Sequence, residues 1–285
     1  GQMTTVVRAN AVLTIASLVV FAPSCWWFGL AGGLYGSVLT YLLALPVALW
    51  AVRIHPRGWA STLTEPGDAG LRRKLLSFYP MLWANAAMGP LAVLLVRDAV
   101  ASSAGIDAAG QWQAAWRISE IYTGIVTGSV SLYFMPRLGQ LAGQPRALRA
   151  EILRTLAISI AVTACIAGVL MLLRTSVVRW VYAEAFTPAA ELMPWQLAGD
   201  VLKMAAWICG FVLVAQSRSA WYIALEVLVP VLYYLLARAW TPLWGPSGAT
   251  MAYAAASACH ALMAVWALRG VWLPRPGDDR SEWTR

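Results

Sequence analysis

Three apolar stretches of this chain carry polar and ionisable side chains at helical spacing. Gln113, Arg117, Glu120, Thr123, Thr127 and Ser131 recur at steps of three and four residues; Gln196, Asp200, Lys203 and Gly210, and Tyr222, Glu226, Pro230 and Tyr233, follow the same rule. Such steps put side chains on one face of an α-helix. A charged group in hydrocarbon costs about 2.5–3.5 kcal/mol on insertion scales, so these faces cannot meet lipid, and together they imply a shared hydrated interior. Cations in that interior suit an anionic ligand, and phosphate best, because guanidinium offers it a bidentate fork. Arg117 and Lys203, with Arg97 and Asn85 from a neighbouring stretch, are therefore candidate substrate-binding residues. Glu120, Asp200 and Glu226 are candidate resting partners for those cations, or proton carriers. The competing reading is that Arg117 with Glu120, and Asp200 with Lys203, are self-neutralising pairs that only fix helix packing.

Other chemistries find no apparatus. Cys25, Cys165, Cys209 and Cys259 are far apart, and with only His55 and His260 neither a disulfide framework nor a zinc site is indicated; core packing is the expected role of the cysteines. There is no HExxH, GxSxG, GxGxxG or GxxxxGK[ST] pattern, so no metal, cofactor or ATP-driven enzymatic chemistry is expected. A membrane glycosyltransferase would need an acidic loop motif, and Glu65, Asp68 and Asp107 are isolated.

The elements that position these residues follow from composition. The 285 residues are 60% hydrophobic and 12% charged, too apolar for a soluble enzyme and suited to a polytopic all-α membrane bundle. A hydrocarbon core about 30 Å thick needs roughly 20 helical residues, and eight runs qualify: 9–24, 29–52, 73–101, 112–135, 149–173, 190–216, 219–240 and 247–270. The first two are separated by a tight turn at Pro23-Ser24-Cys25-Trp26-Trp27. Arg174 to Phe186 reads as a short interfacial helix on the outer surface, and most of the 16 Trp as anchors near span ends. The small-residue spacings Gly32-Gly33-Gly36 and Gly124-Gly128 read as close helix contacts. Pro46, Pro80, Pro90 and Pro230 fall inside spans and are expected to bend them.

Fifteen Lys and Arg residues fall on one set of alternating loops and ends, against Arg174, Arg179 and Arg238 on the other. Basic loops stay cytoplasmic, so both termini are expected in the cytoplasm and the number of spans is even. The net charge of +8 then reflects topology, not nucleic-acid binding. The chain opens at Gly1 and enters a span almost at once, which reads as a piece of something longer.

Two stretches, "GQWQAAWRISEIYTGIVTGSVSLYFMPRLGQL" from Gly110 to Leu141 and "PWQLAGDVLKMAAWICGFVLVAQSRSAWYIALEV" from Pro194 to Val227, resemble the Wzx-type flippases of bacterial polysaccharide assembly, in the lipid III and O-antigen branch. The second is the more specific, joining an interfacial Trp to an acidic and a basic residue in one helix. The resemblance implies a twelve-span, two-lobed exporter of the multidrug/oligosaccharidyl-lipid/polysaccharide class in the bacterial inner membrane. On that reading residues 1–54 are the last two helices of the first lobe, 55–71 a cytoplasmic linker, 72–270 the six-helix second lobe and 271–285 a cytoplasmic tail. It also implies an undecaprenyl-diphosphate-linked glycan as substrate and glycan polymerase proteins as partners. Arg97, Asp200, Lys203 and Glu226 match family positions in or near the cavity; Arg117 departs from the branch, where a small polar residue is expected. The alternatives are a lipid II or drug exporter of the same superfamily, or a non-transporting membrane scaffold for glycan assembly.

Overall fold

The computed structural model describes residues 2–54, 69–141 and 143–272, and every long element in them is helical. The helices are α1 (Gln2–Ile54), α2 (Ala69–Ala104), α3 (Ile106–Gln140), α4 (Pro145–Val181), α5 (Ala189–Ala215), α6 (Ser219–Trp244), α7 (Pro246–Ala267) and a short α8 (Arg269–Trp272), with a 3-10 turn at Glu184–Phe186 before α5. Six segments among the described residues are long and apolar enough to cross a bilayer: Val12–Gly29, Tyr79–Ala104, and the whole of α4, α5, α6 and α7. The chain is thus an all-helical membrane bundle, with six such segments where eight were expected. Of the other two, α3 falls short because its hydroxyls, glycines and charges dilute its apolar residues, and in 41–54 many side chains lie outside the described residues. The expected linker and tail also lie mostly outside them.

The chain divides into two units, Gly1–Lys74 and Leu75–Arg285. In the first, the two halves of α1 meet at Gly29, whose φ of 56° lies in the left-handed region open to glycine. The expected turn at Pro23–Trp27 is therefore displaced: proline's fixed φ is compatible with a helix, whereas reversing the chain takes a positive φ. Past Gly29 the chain folds back on itself. A Cβ on Gly32 would strike the Ser24 carbonyl, and one on Gly36 would lie 3.2 Å from Ser24 Cβ, so Gly32 and Gly36 do admit a close helix contact.

In the second unit α5 is central, packing most extensively on α7 and then on α4 and α3, while α6 packs on α7. Two separate cores form. One takes Trp112, Ile118 and Tyr122 from α3, Leu192, Met193 and Leu197 from α5, Tyr233 from α6 and Ala249, Ala252 and Tyr253 from α7. The other takes Phe134 and Leu138 from α3, Leu148 and Ile152 from α4, Ile208, Val212 and Leu213 from α5 and Ala264 and Leu268 at the far end of α7. Between them, Asp200 and Lys203 on α5, Glu226 on α6 and His260 on α7 fall in a belt that neither core fills. The outer surface is apolar, as contact with lipid requires: Leu172 is 86% and Leu262 72% exposed.

Two expectations are corrected here. The segment from Arg174 is no separate interfacial helix, because α4 runs unbroken to Val181 and only the 3-10 turn follows; its two arginines had read as loop charges. Among the cysteines only Cys209 is buried, while Cys165 is exposed on α4.

Glycine positions separate packing from propensity. A Cβ on Gly199 would sit 2.5 Å from the Tyr253 ring and 3.2 Å from Ala254 Cα, whereas nothing lies within 4 Å of one on Gly128. Replacing helical glycine by alanine gains about 0.5–1 kcal/mol from backbone entropy, and overpacking costs about 1–3 kcal/mol. Thermal unfolding in detergent should therefore show Gly128→Ala raising the midpoint and Gly199→Ala lowering it.

Candidate functional site

The belt between the two cores opens into a cavity of about 600 Å³. Five helices wall it: α2 with Gly89, Pro90 and Arg97; α3 with Gln113, Trp116, Arg117, Ser119, Glu120, Thr123 and Gly124; α5 with Gln196, Asp200, Lys203 and Trp207; α6 with Glu226, Pro230 and Tyr233; and α7 with Tyr253, Ser257 and His260. Arg97, Arg117, Glu120, Asp200, Lys203 and Glu226, singled out from the sequence, thus line one space. Asn85 is on α2, but its side chain lies outside the described residues.

The stripes contribute unequally. Gln113, Arg117, Glu120 and Thr123 reach the cavity, whereas Thr127 and Ser131 turn back to the carbonyls of Thr123 and Gly128 on their own helix. Gly124 and Gly128, expected to make a helix contact, have nothing within 4 Å of a Cβ; Gly124 forms cavity wall. A Cβ on Gly210 would lie 3.6 Å from the Tyr222 ring, and Tyr222 donates a hydrogen bond to Glu226 one turn away.

Asp200 is 1% exposed and accepts hydrogen bonds from two other helices. Tyr122 Oη donates to Oδ2 at 2.7 Å, Ser119 Oγ donates to the same oxygen, and Tyr253 Oη donates to Oδ1 at 2.8 Å. Gln196 Nε2 in turn donates to Ser119 Oγ at 3.1 Å. Charge-assisted bonds of this kind are the strong ones, and a carboxylate so surrounded can stay buried without a salt bridge. No salt bridge joins Asp200 to Lys203, so the competing reading of a self-neutralising pair does not take that form; Asp200 accepts from hydroxyls that bind α3, α5 and α7 together.

Lys203, one turn along, is held by aromatic faces. Its ammonium lies 4.9 Å from the Trp207 ring centre, 5.5 Å from Tyr253 and 5.7 Å from Trp116, within cation–π range. Asp200, Glu226 and Glu120 lie within its electrostatic reach. Trp116 is itself fixed, stacked on Tyr233 at 6.1 Å and edge-on to Tyr253 at 5.1 Å. Arg117 and Glu120 form the expected pair, Nη1 to Oε2 at 2.5 Å, but with 59% and 52% of their side chains exposed. Such an open pair is held weakly, by about 0.2–1 kcal/mol, and a stronger anion can take the guanidinium from it. Arg97 makes no hydrogen bond or salt bridge among the described residues. Among the described residues the cavity thus presents one guanidinium without a hydrogen bond or salt bridge, one loosely engaged, and one ammonium resting on rings.

The sequence missed Ser119, Tyr122, Trp116, Trp207, Tyr253 and His260. Ser119 lies beside the α3 stripe instead of on it, and aromatic residues in an apolar run read equally well as core or anchor. Removing the hydroxyl in Tyr122→Phe or Tyr253→Phe deletes one bond to a buried carboxylate, and each should lower unfolding stability by about 1.5–3 kcal/mol. Denaturation of the purified protein measures this, and unchanged stability in both variants would contradict the clamp.

No protein-family model matches the chain. It is 29% identical over 249 residues to a lipid III flippase of Escherichia coli K12, and equally to one of Shigella flexneri, alignments that cover 85% of this chain and 59% of each relative. The chain thus spans about three fifths of the length of the curated relatives it matches. Among solved structures, a point mutant of a MATE superposes with a TM-score of 0.73 at 11% identity, and a MATE in complex with MaL6 with a TM-score of 0.71 at 12% identity. Each superposition covers 95% of this chain and 62% of that structure. The chain is thus distantly similar in sequence to the lipid III flippases and has the fold seen in the MATE structures.

Proposed function

We propose that the complete protein is a flippase, carrying an undecaprenyl-diphosphate-linked oligosaccharide across the bacterial inner membrane by alternating access during assembly of a cell-surface polysaccharide such as enterobacterial common antigen or O-antigen. The observation that carries this reading is the convergence of Arg97, Arg117 and Lys203, from three different helices, on one cavity of about 600 Å³. A diphosphate and its sugars cannot cross hydrocarbon unaided, so a wet cationic path must receive them while the polyprenyl tail stays in lipid. A volume in the ~300–1,000 Å³ range of small-ligand sites accommodates a diphosphate and the first sugars.

Arg117 leaves Glu120, Lys203 leaves its rings and, with Arg97 and Asn85, they hold the diphosphate. Three cations and three carboxylates line the cavity, so the empty site is near neutral and stays folded without a ligand. Glu120 and Glu226 rebalance the charge as the ligand comes and goes, by pairing with the cations or by carrying protons. Asp200 holds the wall. In the complete protein, residues 1–54 close the first lobe of a twelve-helix transporter, 55–71 link the lobes, 72–270 form the second lobe with its six spans, and 271–285 are a tail, with both termini cytoplasmic. Glycan polymerase proteins are the partners that take up the delivered glycan.

A non-transporting scaffold would want a dry, fully paired interior, and the cavity speaks against it. A cationic-drug exporter of the same fold would meet Arg97, Arg117 and Lys203 as like charges. A lipid II exporter shares the diphosphate chemistry and differs in the glycan, so the lipid-linked intermediate that accumulates on gene loss distinguishes it.

Lys203→Ala or Arg117→Ala in the complete protein should reduce glycan export in a deletion strain by roughly ten- to a hundredfold, the loss of one charged hydrogen bond. Wild-type export by both variants, at equal protein levels, would remove the assignment.

A further inference from the structure

The Trp207 ring stands apart from the other cavity aromatics. Trp116 is wedged among Trp112, Tyr233 and Tyr253, and Tyr253 holds Asp200 through its hydroxyl. Trp207 stacks on no other ring among the described residues: its partner is the Lys203 ammonium, 4.9 Å from the ring centre and one turn back on the same helix. The side chain is half-buried and lines the cavity with Glu226 and His260, both within electrostatic reach of Lys203. A flat apolar face in one cavity with a carboxylate and an imidazole is the chemistry that receives a pyranose, whose C–H face is apolar and whose rim of hydroxyls needs acceptors.

We propose that Trp207 is the stacking platform for the first hexopyranose of the lipid-linked glycan, covered by Lys203 when the cavity is empty and exposed when an anion draws the ammonium away. The proposal rests on the anionic-lipid reading above and deepens it. The cation–π contact of Lys203 with the ring is replaced by a close, charge-assisted Lys–phosphate contact when the anion binds. The diphosphate therefore acts before the sugar: it takes the lysine, and the vacated indole face takes the ring, while Glu226 and His260 accept hydroxyl hydrogen bonds. A neutral sugar alone cannot displace the ammonium, and a bare diphosphate leaves the indole unused. Full affinity thus requires the two joined in one molecule, which favours a loaded carrier over an empty one returning through the same bilayer.

The test is equilibrium binding of two probes to the complete protein in nanodiscs: undecaprenyl diphosphate, and undecaprenyl diphosphate bearing one N-acetylhexosamine. The wild type should bind the glycosylated lipid about tenfold more tightly. Trp207→Ala should erase that preference by weakening the glycosylated lipid alone, Trp207→Phe should keep part of it, and free N-acetylhexosamine should compete with neither probe. Thermal unfolding of the variants reports whether each folds, and the phenylalanine variant serves if the alanine variant does not. Equal affinity of the wild type for both lipids, or equal weakening of both by either variant, would overturn the platform while leaving the diphosphate site intact. Binding of neither lipid by the wild type would overturn the anionic-lipid reading itself, and the platform with it.

Discussion

A carboxylate held by hydroxyls, with no salt bridge, ties the second unit together. Asp200 is buried among apolar helices, where an isolated charge is untenable, and hydroxyls of Ser119, Tyr122 and Tyr253 make it tenable. Because the donors come from α3 and α7 and the acceptor from α5, satisfying one carboxylate fixes three helices against one another. The close approach of α5 to α7 at Gly199, next to Asp200, belongs to the same arrangement: a larger residue there would push Tyr253 off its acceptor.

With Asp200 bonded by hydroxyls, Lys203 forms no salt bridge with its neighbour three residues away. It rests on the indole and phenol faces lining the cavity, with Asp200, Glu226 and Glu120 within electrostatic reach. That is a resting state of modest depth, as is the exposed Arg117–Glu120 pair. A binding site that must release what it binds gains from such shallow holding, since a deep salt bridge would have to be broken on every cycle. Apolar cores flank the belt on both sides.

Much of this was legible in the sequence. Helical periodicity put Arg117 with Glu120, Asp200 with Lys203, and Glu226 on faces that cannot meet lipid, and the structure gathers all of these residues around one cavity. Periodicity is a property of one helix, so what it could not show lies between helices. The competing reading paired Asp200 with Lys203 because three residues separate them, while its hydrogen-bond donors are 81, 78 and 53 positions away. Trp116 and Trp207 were absorbed among the membrane anchors because a tryptophan looks the same at an interface and on a cavity wall. The reversal in α1 went to Pro23, where composition changes, instead of Gly29, where the backbone needs a positive φ. The substrate class came from resemblance, since cations in a cavity specify an anion and not its glycan.

The central claim is that the ionisable belt is wet and continuous within a lipid-facing bundle. Its direct measure is the reactivity of single cysteines toward a membrane-impermeant thiosulfonate, in a complete protein whose native cysteines are replaced by alanine. Gln113, Thr123 and Val229 line the cavity, whereas Ile125 and Leu228 are exposed on the outside of the bundle. Cysteines at the first three positions should be modified from the aqueous phase in reconstituted vesicles, and those at Ile125 and Leu228 should stay unmodified. Protection of all three cavity positions, or equal labelling at all five, would contradict the account.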